Sequence, residues 1–178
     1  MVQAACEGIC AALADGLPGL RAVVEYGANG DMEAPLAVVR LTDMEYAGDP
    51  EDGTERVWVQ CRWDVFLIVA KDTALDAAQS RRELRQMSAA VAALIHGNRF
   101  GVQAMPARFV KVEADVPAPV GTDVACWRVE FEQDVPLGES VWSGEGVPVQ
   151  SVFLSHTPRI GLEHKESYTE VTDGLSRL

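Results

Sequence analysis

The chain is short of the residues that catalysis and metal binding use most. It has three histidines, His96, His156 and His164, and four cysteines, Cys6, Cys10, Cys61 and Cys126. No Cys-x-x-Cys pair occurs and the histidines fall at no ligand spacing, so no zinc site is expected. There is no P-loop, no G-x-G-x-x-G after a strand, no H-E-x-x-H and no G-x-S-x-G. Carboxylates are plentiful, but they gather in one loop and on wet strand faces, which gives two-carboxylate hydrolysis no support. The expectation is a protein without catalytic residues, metal or cofactor. Positive charge is scarce as well: 15 Lys and Arg stand against 27 Asp and Glu, a net charge of −12. That balance argues against a nucleic-acid surface built by bulk charge and against anionic membranes. No run of about 18 apolar residues is present to span a bilayer. No basic segment followed by an apolar core marks a secretory signal. The cysteines read as buried free thiols in a reducing compartment.

What the chain does have is enough apolar residues for a core. With 178 residues, 48% of them apolar, it can form one domain, or one domain with an arm. The clearest pattern is Glu55 to Lys71, ERVWVQCRWDVFLIVAK. Val57, Val59, Cys61, Trp63, Val65, Leu67 and Val69 fall on one face. Trp58, Gln60, Arg62 and Asp64 fall on the other, which turns apolar at Phe66 and Ile68. Alternation with period two marks a strand. Its second half, Trp63 to Ala70, should be buried on both faces. Its first half should project beyond the core and put Trp58 on an exposed, otherwise polar face.

The remaining elements follow from periodicity and punctuation. Cys6, Ile9, Cys10 and Leu13 make a helical stripe within residues 2–15, stopped by Gly16 and Pro18. Arg21 to Tyr26 reads as a short strand and Leu36 to Met44 as a second. The acidic connector Glu45 to Thr54 joins the latter to the long strand as a β-hairpin. Thr73 and Asp76 form a capping-box pattern ahead of a long helix reaching His96, with Leu84, Met87, Val91, Leu94 and Ile95 on one face. Arg81, Arg82 and Arg85 are its basic cluster and read as a solvated or subunit-contacting face. Phe109 to Ala114 and Val124 to Val135 read as strands, the latter with Arg128, Glu130, Glu132 and Asp134 on its wet face. After Pro136 the periodicity fades. Residues 138–178 read as an extended arm packing on a neighbouring chain, with Val147 to Leu154 as its one strand-like piece.

The expected fold is therefore α+β. An antiparallel or mixed sheet with a long β-hairpin packs against an N-terminal helix and one long central helix, over residues 1–137. In this order of elements the chain resembles the tail terminator proteins of long-tailed bacteriophages, and in particular the small Gp37-like proteins of Mu-like phages. The likeness is carried by LADGLPGL (13–20), WDVFLIVAKD (63–72), AAVAALIHG (89–97) and CWRVEFEQDVPL (126–137).

The resemblance implies a structural virion protein at the head-proximal end of the tail, assembled in the host cytoplasm. It implies a ring, usually sixfold, of copies of the chain itself. That ring caps the tail tube protein and meets a head–tail connector or neck protein, and double-stranded DNA passes through its lumen. An acidic chain suits such passage, because like charge disfavours adhesion. Candidate interface residues are Trp58, Gln60 and Arg62 on the long strand, Glu45 and Tyr46 beside them, Arg81, Arg82 and Arg85 on the helix, and Val152, Phe153 and Leu154 in the arm. A tube protein or connector, and a small-molecule-binding domain, are the competing readings.

Overall fold

The three-dimensional structure is a computed structural model. It describes residues 1–28, 33–48, 53–70, 77–119, 124–141 and 151–171. The chain forms two compact units, Met1–Ser140 and Val141–Leu178. The first is α+β. Its elements are α1 (Val2–Gly16), β1 (Ala22–Glu25), β2 (Leu36–Tyr46), β3 (Val57–Ala70), α2 (Ala77–Ile95), β4 (Arg108–Glu113) and β5 (Val124–Leu137). The five strands make one sheet in the order β1-β2-β3-β5-β4. Only β1 and β2 run parallel; the other neighbours are antiparallel, so the sheet is mixed.

The alternation in β3 sorts its side chains onto the two faces. Cys61, Trp63, Val65, Leu67 and Val69 point to the side that carries both helices and join one core with Ile9 and Leu13 of α1 and Leu84, Val91 and Ile95 of α2. The Trp63 and Phe131 rings stack there at 6.4 Å between centroids. Phe66 and Ile68 point the other way, into a smaller cluster with Leu36, Val38 and Cys126. The second half of β3 is thus buried on both faces, as its two-sided apolar pattern requires. The helices end as their sequences direct: Leu17 N–H bonds back to the Leu13 carbonyl, and Gly97, at φ 83°, follows α2. The capping pattern at Thr73 and Asp76 lies outside the described residues, as does much of the hairpin connector.

Two expectations about the first half of β3 are corrected. It is not a free hairpin arm, because β5 extends to Leu137 and pairs with β3 down to Val57. Trp58 is not exposed but buried, at 6% of its full exposure, directly across from Pro136. The Arg56 guanidinium lies over its ring at 5.8 Å. Proline removes a ladder donor and is tolerated at a sheet edge. Pro136 meets that condition, because β4 stops pairing with β5 at Glu132.

The second unit is small and carries short stretches of regular structure. Phe153–Leu154 (β6) pairs antiparallel with Thr169–Glu170 (β7), and a 3-10 turn spans Leu162–Ser167. The Gly161 N–H donates to the Tyr168 hydroxyl at 2.8 Å. A hollow of about 500 Å³ is lined by Phe153, Gly161, Leu162, Lys165 and Tyr168. Within the expected strand, residues 147–150 lie outside the described part.

Gly8 sits mid-helix for a steric reason. A Cβ there would run into the carbonyl oxygen of Phe100, whose ring packs at 6.0 Å from that of Phe131. Gly8→Ala should therefore destabilise the protein by about 1–2 kcal/mol despite a propensity gain of about 1 kcal/mol. Urea unfolding checks this, and a more stable variant would show that α1 can move away from Phe100.

Candidate functional site

The face of the sheet opposite the helices holds the densest chemistry among the described residues. Strand alternation places Arg40, Asp43 and Glu45 of β2 there, with Gln60, Arg62 and Asp64 of β3. β5 adds Arg128, Glu130, Glu132 and Asp134, and β4 adds Arg108, Lys111 and Glu113. The register sets these side chains in rows across four strands. One row reads Asp43, Arg62, Glu132, Arg108, alternating acid and base throughout. The next reads Arg40, Asp64, Glu130, Lys111.

The rows are ion-paired. Arg62 donates to Glu132 at 3.0 Å and lies 3.7 Å from Glu130. Arg108 is 3.6 Å from both Glu132 and Asp134, and Lys111 is 3.5 Å from both Glu113 and Glu130. The bond from Arg128 holds the Glu113 carboxyl below its ordinary range, and the bond to Glu132 raises Arg62. Exposed pairs of this kind contribute little stability singly and serve chiefly to fix register.

Asp64 differs, being 1% exposed. It accepts from Arg40 at 2.7 Å and lies 3.5 Å from Arg128. Arg40 in turn lies over the Phe66 ring at 4.8 Å and the Tyr26 ring at 5.7 Å. A carboxylate this deep needs its cations, because an unpaired buried charge costs several kcal/mol. Chemically the face offers matched charge in fixed positions, which suits recognition of another ordered charged surface.

The helix-side face has an exposed apolar end. Met44, Tyr46 and Val57 share the side of the sheet buried elsewhere under α1 and α2, yet are 51%, 65% and 53% exposed. Phe109 of β4, on the same face, is also exposed.

The sequence-derived candidates divide accordingly. Glu45, Gln60 and Arg62 lie together on the charged face, with Glu45 opposite Gln60, and Tyr46 is exposed on the other side of the same strand. Trp58 is buried. Arg81, Arg82 and Arg85 are exposed on α2, Arg81 lying 3.6 Å from Asp115. Val152, Phe153 and Leu154 are exposed in the second unit. Sequence reading passed over Arg40, Asp64, Arg108 and Lys111 as site residues. A signal existed for the first two: each is the single charge in an apolar run, PLAVVRL and WDVFLIV, and the two runs carry opposite signs.

All four cysteines are free. Burial pushes Cys61 up to about 11 and Cys126 to about 12. The hydrogen bond between Cys6 and Cys10 lowers Cys10 and raises Cys6, which burial raises further. No helix among the described residues is long and apolar enough to cross a membrane.

The sequence matches no family model and no curated protein. Among solved structures, a chain of the virion of a native gene transfer agent particle aligns at 18% identity and a TM-score of 0.43. The alignment covers 74% of this chain and 98% of that one.

Asp64→Ala should cost about 2–3 kcal/mol in urea unfolding, by leaving Arg40 without its carboxylate. Lys111→Ala, at an exposed pair, should barely move the midpoint. Iodoacetamide at pH 8 should modify Cys10 first and reach Cys61 and Cys126 only on unfolding, as read by peptide mass mapping.

Proposed function

We propose that this chain is a structural subunit of a phage-like virion: a tail terminator whose ring caps the tail tube and joins it to the head or neck. The role is structural and not enzymatic. The observation that carries the reading is the far end of the sheet. There β2 and β3 expose Met44 and Tyr46 beside Val57 on the face that is otherwise buried under the helices. An exposed apolar cluster of this kind is what a protein–protein contact needs. The resemblance of segments 13–20, 63–72, 89–97 and 126–137 to tail terminators supports the particular role. A charge of −12 suits a ring whose lumen passes double-stranded DNA. By the same resemblance the ring is sixfold, and its partners are the tail tube protein on one side and a neck or connector protein on the other.

Native mass spectrometry and negative-stain imaging should find closed rings, formed alone or on tail tubes. Adding the protein to growing tubes should halt elongation at one end. A strict monomer that also ignores assembled tubes would overturn the proposal. Long open tubes from this chain alone would instead assign it as a tube subunit, because a heterologous contact that does not close propagates. Deleting residues 141–178 should leave the first unit with cooperative unfolding, since its core is complete within Met1–Ser140. Ring formation by the truncated chain then reports whether the second unit takes part in assembly.

A further inference from the structure

We propose that copies of this chain join head to tail through their sheets. In this contact β4 of one copy adds antiparallel to the 40–46 segment of β2 in the next. The inference rests on the ring reading and assigns its subunit contact.

Among the described residues the sheet has two open edges. β1 pairs with β2 only from Leu36 to Val39, and β2 continues to Tyr46. β4 pairs with β5 on one side, and among the described residues no strand lies on its other side. Open edges invite pairing, and proteins either blunt them or use them. Each of these edges carries one register shift, between Leu41 and Asp43 and between Phe109 and Lys111. Such bulges deny a flat template to indiscriminate strands and pin the register of a matched one.

The directions are compatible. From β2 through β3 and β5 to β4 every pairing is antiparallel, so β4 runs opposite to β2. A copy displaced sideways across the sheet therefore presents its β2 antiparallel to β4, with the helices of both copies on the same side.

The chemistry of the two edges is complementary. On the face away from the helices, the β2 edge shows the exposed acids Asp43 and Glu45, and the β4 edge shows Arg108 and Lys111, each about half exposed. On the helix side, exposed Met44 and Tyr46 stand on one edge and exposed Phe109 on the other. The row Asp43, Arg62, Glu132, Arg108 ends in a base at β4 and begins with an acid at β2. A neighbour stepped by one pair along the strands sets Glu45 opposite Arg108, Asp43 opposite Lys111 and Arg40 opposite Glu113, whereas an unstepped one would set Arg40 against Lys111. Like edges match fewer charges. Two β2 edges, or two β4 edges, form at most two complementary pairs, because Arg40 stands beside the acids of β2 and Glu113 beside the bases of β4, and centring either pairing sets Asp43 against Asp43 or Lys111 against Lys111. The heterologous contact, which a ring requires, forms three.

The test is charge reversal on one edge at a time. Asp43→Lys with Glu45→Lys should reduce self-association at least tenfold by sedimentation velocity or native mass spectrometry. Its circular dichroism and unfolding midpoint should stay at the wild-type values. Arg108→Glu with Lys111→Glu should reduce self-association as much, with unchanged circular dichroism and a midpoint lowered only modestly by the new carboxylates beside Glu132, Asp134, Glu113 and Glu130. An equimolar mixture of the two variants should restore assembly with strictly alternating copies, as should the four substitutions combined in one chain. Because the pairs are exposed, raising the salt should weaken wild-type association. Wild-type rings with reversed variants that assemble equally well would overturn the edge contact and leave the ring standing. So would a mixture that fails to recover. A wild-type chain that is monomeric both alone and with tail tubes would overturn both.

Discussion

The pairing of β3 with β5 is the constraint on which the rest of this structure depends. It runs in unbroken register from Val57 opposite Leu137 to Ala70 opposite Val124. Because side chains alternate with period two, that register assigns every residue of both strands to a face at once. It sets Trp63 beside Phe131 in the core under the helices and Arg62 beside Glu132 on the other side. A slip of one residue would drive Arg62 and Asp64 into the helical core and expose Trp63, Val65 and Leu67. The hydrophobic core and the charged face thus enforce the same alignment, and such agreement between levels makes one fold win.

Much of this architecture is legible in the sequence, and the exceptions have physical causes. The alternation in 57–70 and the stripes Cys6–Ile9–Leu13 and Leu84–Val91–Ile95 gave the central strand and both helices, because burial imposes those periods. Trp58 was misjudged because its face neighbours Gln60 and Arg62 are polar. Its cover comes from Pro136 and Arg56, one of them far away in the chain. The last residues of β5 were missed because Asp134 and Pro136 read as the end of a strand. The candidate site was less legible still. The charges on β5 were visible as a wet face, but their partners on β3 and β4 depend on strand order. Arg40 and Asp64 stand 24 residues apart, and only the pairing of β2 with β3 brings them together.

The sheet thus divides its labour by face and by distance along the strands. Where the helices lie it is a core, and beyond them the same face is apolar but exposed at Met44, Tyr46 and Val57. The opposite face is closed at one end by Phe66, Ile68 and Cys126, and is charged in its middle. A chain with so large an acidic excess still matches bases to acids across this middle region.

The unbroken β3–β5 ladder also has a mechanical side. Force directed along the strands loads all of its rungs together, so the pair can yield only by shearing them at once. Force directed across the strands peels the rungs one after another from an end. The subunit is therefore stiff along the axis of β3 and compliant across it. Any assembly built from it inherits that anisotropy in the direction its strands are laid.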